Sequence, residues 1–254
     1  DKDAQDNNWK KLVIFTEPHA KEFFAESLGT DEEKPPRIFP WPEKVRKLKE
    51  LGVEFSFFLS FNNQLRNMTP ETFIDEVLSR LSIKKMVIGA DFRFGAIRKG
   101  AFNFLKDWGN RNNVRIEKTE TFTLNDERVS SSRIRNCLTS DDFESAKELL
   151  GRPYKFHGKV VYGQQLGRTL GVPTANLWLP RNKLPISGVY IVNVEFEKRV
   201  YGGIANMGIR PTVGGQNPVL EVHIFNFSGS LYGKKINVEF LKKIRDEKKF
   251  NGLD

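Results

Sequence analysis

The chain has 254 residues, 39% hydrophobic and 29% charged, with one cysteine and a formal net charge of +9. This composition excludes a disordered chain, an internal disulfide framework and a membrane-spanning apolar run, and leaves length for one or two domains with a sizeable core. The basic excess favours an anionic partner such as nucleic acid, a nucleotide or a phosphorylated small molecule, or else it only solvates the surface; the basic clusters EKVRKLKE and KKIRDEKK carry acids and read as exposed helix faces.

The N-terminal DKDAQDNNWKK is polar and lacks the apolar region of a secretory leader, so the cytosol is the default location. KLVIF (11–15) reads as a buried strand followed by a Thr-Glu-Pro-His turn. PEKVRKLKELG follows as a helix closed by Gly52, and EFSFFLSF (54–61) as a strand. TPETFIDEVLSRL places Thr69 at an N-cap, Pro70 at the first helical position, and Phe73, Ile74, Val77, Leu78 and Leu81 at helical spacing. KKMVIG (84–89) is a strand, KGAFNFLKDWGN a helix, and VRIEKTETF (114–122) extended. Strands alternating with helices imply a parallel sheet with helical crossovers. SSSRIRNCL and DDFESAKELLG are two further helices, with Asp141 as an N-cap and Gly151 as a stop.

After GRP (151–153) the pattern changes to short strands: KFHGKVVYG, GVYIVNVEFE, RVYGGIANMG, VLEVHIFNF and KINVEF. Gly- and Pro-rich turns separate them, as in a compact antiparallel barrel or sandwich. A domain boundary is expected near Arg152, giving segments 1–151 and 152–254.

GRTLGVPTAN (167–176) has no apolar period. Gly167 and Gly171 allow close backbone approach, Pro173 stiffens the turn, and Thr174 and Asn176 point to one face if the segment is extended. Two short neutral oxygen ligands beside nucleotide phosphates suit Mg2+, and Arg168 with backbone N–H groups suits phosphate oxygens. The same residues also serve as an ordinary loop between strands. In PVLEVHIFNF (218–227), Leu220, Val222 and Ile224 form a core face, with Glu221, His223 and Phe225 opposite. Glu221 is there either a solvated surface carboxylate or a cleft base able to accept a hydroxyl proton. Neither a Walker A loop nor G-x-G-x-x-G occurs, H-E-x-x-H is absent, and the three histidines lie far apart, which argues against zinc.

The second half resembles the riboflavin kinase module of bacterial bifunctional riboflavin kinase/FAD synthetases. The motifs that carry this run in order: G-x-V-x-x-G at 158–163, G-R-x-L-G-V-P-T-A-N at 167–176, L-P-x-S-G-V-Y at 184–190, A-N-M-G-I-R-P-T at 205–212, L-E-V-H-I-F-N-F at 220–227, L-Y-G-K at 231–234 and I-R-D-E-K-K-F at 244–250. The resemblance spans residues 154–250 and implies a small antiparallel barrel with a terminal helix. The first half is similar to the same family's adenylyltransferase module, a Rossmann-like α/β domain, through T-E-P-H (16–19), V-I-G-A-D-F-R-F-G (87–95) and V-S-S-S-R-I-R (129–135). Ser131, Ser132 and Arg135 near a helix start can form an anion site or simply a helix cap, and A-D-F-R-F-G a strand-end turn.

The resemblance implies transfer of the ATP γ-phosphoryl group to riboflavin, giving FMN, and in the intact protein FMN adenylylation to FAD with release of pyrophosphate. It implies Glu221 as base, Gly163, Gly167, Arg168, Gly171, Pro173 and Thr174 for ATP, and Thr174 and Asn176 for Mg2+. It implies Asp91, Phe92, Ser131, Ser132 and Arg135 for the adenylyltransferase site. The family's G-x-F-D-x-x-H-x-G-H motif does not occur in the 254 residues; its place would precede Asp1, and the terminal helix looks clipped after Asp254. The expected partners are small molecules rather than nucleic acid or membrane, and the expected state is a monomer or weak homo-oligomer. A basic barrel binding single-stranded nucleic acid without catalysis is the alternative.

Overall fold

The structure is a computed structural model that describes residues 2–30, 34–89, 91–163, 173–179, 183–212 and 215–248. The chain divides into two compact units: residues 1–34 with 53–129, and residues 35–52 with 130–254.

In the first unit, α1 (Lys2–Asp6) precedes β1 (Leu12–Glu17) and α2 (Ala20–Ser27). The second unit's α3 spans Trp41–Glu50, which bears out the helical reading of EKVRKLKE. Chain order then returns to the first unit with β2 (Phe55–Ser60), α4 (Asn63–Asn67), α5 (Pro70–Phe73), β3 (Lys85–Ile88), α6 (Phe102–Asn112), β4 (Arg115–Lys118) and the short β5 (Thr123–Leu124) and β6 (Glu127–Arg128). Two parallel ladders form, β1 with β2 and β3 with β4. The β3–α6–β4 connection is the crossover that the alternating pattern predicts. Thr69 caps α5 by accepting from Thr72 N–H, with Pro70 in the first turn. Residues 74–78 continue α5 as a π-type turn that buries Ile74 and Leu78. They join Ile88, Phe94, Leu105, Trp108 and Val114 in one apolar core. The β5–β6 hairpin was not evident in the sequence; Asn125 and Asp126 both have φ > 0, the requirement of a two-residue turn of this kind.

The second unit adds α7 (Ser131–Thr139), α8 (Phe143–Leu150) and six strands: β7 (Lys155–Val161), β8 (Thr174–Leu177), β9 (Gly188–Phe196), β10 (Arg199–Thr212), β11 (Gly215–Ile224) and β12 (Lys235–Arg245). They close into an antiparallel barrel in the order β10-β11-β8-β7-β12-β9. Alternate residues point inward, and Phe156, Val160, Tyr190, Val192, Val194, Ala205, Met207, Leu220, Val222, Val238 and Phe240 are all fully or almost fully buried. Burial of each large apolar side chain contributes about 1.5–3 kcal/mol. Helix α8 closes one end through Phe143, whose ring lies 6.2 Å from Phe240 and 5.7 Å from Tyr190.

Three local expectations are corrected. Asp142, not Asp141, caps α8, accepting from Ser145 N–H, while Asp141 sits in the tight turn before it at φ 60°. KKIRDEKK is not a helix face: Lys242–Arg245 belong to β12, because bulges between Phe240 and Lys242 and between Lys243 and Arg245 hide the strand alternation. Residues 246–248 have no regular structure, so the expected terminal helix does not begin there, and residues 249–254 lie outside the described residues.

Candidate functional site

A cleft of about 300 Å³ opens on the outer face of the barrel, lined by Thr174, Val189, Ile204, Asn206, Glu221, His223, Arg245, Glu247 and Lys248. Strand register builds it. Glu221 on β11 lies opposite Asn206 on β10 and opposite Asn176 on β8. His223, two residues on, lies opposite Ile204 and Thr174. Since Leu220 and Val222 point inward, Glu221 and His223 must point outward, and Thr174 and Asn176 share their face. The paired reading of Thr174 with Asn176 holds because Thr174 opens a four-residue strand.

Contacts hold these groups in place. The His223 Nδ1–H donates to the Pro173 carbonyl at 3.0 Å, fixing the chain where it enters β8. Asn176 is only 7% exposed and lies beneath Gly163. A Cβ at Gly163 would come within 2.5 Å of Asn176 Cγ, so only glycine lets the backbone cross there without moving the amide. Asn206 Oδ1 is buried with no hydrogen-bond partner among the described residues. Sequence reasoning missed Asn206, Val189, Ile204, Arg245, Glu247 and Lys248 as cleft residues; the register of β9, β10 and β12 brings them to the cleft, and no local motif signals that. Gly167, Arg168 and Gly171 lie outside the described residues.

The donor chemistry fits a hard cation that arrives with nucleotide phosphates. A hydroxyl and an amide oxygen stand on one strand face, beside a carboxylate. Among the described residues, no group of three or more His, Cys, Asp or Glu side chains could hold a metal by itself.

The adenylyltransferase candidates divide between the units. In the first, Asp91 accepts from Arg128 Nη2 at 3.1 Å, and this bond holds its carboxyl below the ordinary range; Phe92 stacks on Phe94 at 5.8 Å. In the second, Ser131 and Ser132 are exposed in the first turn of α7, behind the N-cap Ser130, which accepts from Arg133 N–H. Arg135 Nε–H donates to the Pro36 carbonyl at 2.7 Å.

An antiparallel barrel with a carboxylate-centred outer cleft, carried on a chain that also holds a parallel α/β unit, defines a two-module α/β plus all-β protein. The sequence matches the riboflavin kinase family over residues 150–254 and the FAD synthetase family over residues 1–133. It is 39% identical to the bifunctional riboflavin kinase/FMN adenylyltransferase of Pseudomonas fluorescens, over 95% of this chain and 76% of that protein. It is 38% identical to the Haemophilus influenzae protein of the same name, over 99% of this chain and 80% of the other. The chain therefore belongs to the bifunctional riboflavin kinase/FMN adenylyltransferase family. A crystal structure described as a macrolide-efflux protein from Streptococcus pneumoniae matches with a TM-score of 0.73 at 31% identity, covering 99% of this chain and 81% of that one. Among the described residues here, no helix is long and apolar enough to cross a membrane.

Proposed function

We propose that the chain serves flavin cofactor biosynthesis, its barrel phosphorylating riboflavin to FMN with ATP and its α/β half contributing to FMN adenylylation. The observation that carries the kinase reading is the placement of Glu221 in the outer cleft, in register with Asn176 on one side and Asn206 on the other. Family membership supplies the substrates.

In this reading Glu221 accepts the proton of the ribityl 5′-hydroxyl as that oxygen bonds to the γ-phosphorus. The bond to the β,γ-bridging oxygen breaks and ADP leaves. Such transfers rest on positioning and charge stabilisation more than on covalent help from the protein. Gly163, Pro173 and Thr174, with Gly167, Arg168 and Gly171, hold the nucleotide. Thr174 and Asn176 would hold Mg2+, which supplies charge neutralisation on the phosphates when bound. The apolar side chains of Val189 and Ile204 face the acceptor. Asp91, Phe92, Ser131, Ser132 and Arg135 belong to the adenylyltransferase half, with the functional boundary at 151/152. The protein works in the cytosol on small molecules, as a monomer or weak homo-oligomer.

The test is magnesium and nucleotide titration of FMN formation. Thr174→Ala and Asn176→Ala should each raise the KM for Mg-ATP. An unchanged magnesium dependence in both variants rejects the assignment of those two residues.

A further inference from the structure

One wall of the cleft is not a barrel strand. Arg245 ends β12, and Glu247 and Lys248 line the cleft from the irregular stretch beyond it. Two glycines lie close against this wall, Gly188 against its backbone and Gly208 against a side-chain end. Gly188 has φ +120°, and a Cβ there would lie 2.6 Å from the Arg245 carbonyl oxygen. At Gly208 a Cβ would lie 2.7 Å from the Glu247 Cδ. The bulge between Lys243 and Arg245 turns the chain off the ladder at this point.

A lysine ties the wall to the turn before α8. Lys243 Nζ pairs with Asp246 Oδ1 at 2.9 Å on the wall and with Asp141 Oδ2 at 3.0 Å in the turn before α8. Asp141 is itself fixed, its Oδ1 accepting from the Tyr190 hydroxyl at 3.0 Å. The Lys243 ammonium also faces the Tyr190 ring at 6.0 Å. Lys243 and Asp141 are partly shielded, their side chains 23% and 22% exposed, whereas Asp246 is 88% exposed.

We propose that Lys243 is a positioning residue for the flavin end of the cleft: by bridging Asp141 and Asp246 it sets the Arg245–Lys248 wall opposite Thr174 and beside Val189 and Ile204. This rests on the kinase reading above and deepens it. Lys243 acts through the wall, so its loss affects the acceptor and spares the nucleotide, whose groups stand on β8 at the other side.

The experiment compares wild type with Lys243→Met, Lys243→Arg and Asp246→Asn by steady-state FMN formation, varying riboflavin and ATP separately. A parallel titration of riboflavin fluorescence reads flavin binding without turnover. Lys243→Met should raise the KM and the Kd for riboflavin about 3–5-fold, with the KM for ATP moving less than about 1.5-fold and kcat falling less than KM rises. Lys243→Arg should recover most of the affinity, and Asp246→Asn should show a smaller shift of the same sign. Asp246 is exposed, so that variant keeps the proposal testable even if Lys243→Met does not fold. Unchanged flavin affinity in the folded variants overturns the proposal, as does an equal rise in both KM values or a loss confined to Tm and active fraction. A wild-type protein that binds riboflavin yet forms no FMN overturns the kinase reading, and the variants' Kd values then still decide the role of Lys243.

Discussion

Gly163→Ala perturbs the proposed nucleotide site while leaving both side chains assigned to the metal, Thr174 and Asn176, chemically unchanged. Its Cβ would lie 2.5 Å from Asn176 Cγ and 2.7 Å from Oδ1, against 3.4 Å or more for ordinary contact. The Asn176 backbone cannot yield, because β8 is paired with β7 and β11 on its two sides. The amide must therefore swing away by about 1 Å, a displacement that at a positioned group can cost on the order of 10²-fold in rate. The added methyl group should also cost about 1–3 kcal/mol of stability, at roughly 2–4 °C of Tm per kcal/mol for a chain of this size. The assay is FMN formation at varied Mg-ATP, alongside thermal unfolding. kcat/KM for ATP should fall ~10–10²-fold, and Gly163→Ala added to Asn176→Ala should cost little more than Asn176→Ala alone. Full additivity in that double variant, or wild-type kcat/KM for ATP in the single one, would refute the reasoning.

Glu221→Gln should lower kcat for FMN formation by ~10²-fold or more with little change in ATP binding, as expected for a lost general base; stopped-flow turnover and nucleotide titration separate the two. Phe143→Ala removes the ring that plugs the barrel end against Tyr190 and Phe240 and should cost about 3–5 kcal/mol, measured by denaturant unfolding of the second unit. The Lys243 bridge should add no pH dependence to riboflavin affinity between about pH 5 and 9. The hydrogen bond from Lys243 depresses the Asp246 pKa, so this carboxylate's contribution is present above the ordinary carboxylate range and is lost only as pH falls through the depressed value. The hydrogen bond to Asp246 raises the Lys243 pKa, so its contribution is complete below the ordinary lysine value and is lost only as pH rises through the raised one. Riboflavin Kd measured across that range, wild type against Lys243→Met, should give two parallel profiles.

Much of the barrel was legible because its strands obey period two. Leu220, Val222 and Ile224 read as a core face and are buried, which leaves Glu221 and His223 outside. Thr174 and Asn176 read as a same-face pair for the same reason. What the sequence does not express is register. Nothing local says that β8 lies between β7 and β11, or that Asn206 comes opposite Glu221, since both depend on pairings between distant segments. The cleft wall was misread for a related reason: two bulges break the alternation of LKKIR, and the interleaved charges then mimic a helix face. The one-residue slip at the α8 cap has a local cause, because Asp141 and Asp142 are chemically alike and only the backbone, with Asp141 at φ 60°, separates them. In the first unit the apolar runs of β1, β2 and β3 and the longer periodic helix α6 were legible, whereas α1, α2 and α4 escaped because helices of five to eight residues span too few turns to show a 3.6-residue period.

The central claim is that a carboxylate on β11 activates an alcohol beside a nucleotide held from β8. The most direct measurement is incubation of the protein with riboflavin, ATP and Mg2+, with chromatographic separation of riboflavin, FMN and FAD, run in parallel on wild type and Glu221→Gln. FMN accumulating with wild type and nearly absent with the variant is the predicted result. No FMN from folded wild type, or equal FMN from both proteins, contradicts the claim.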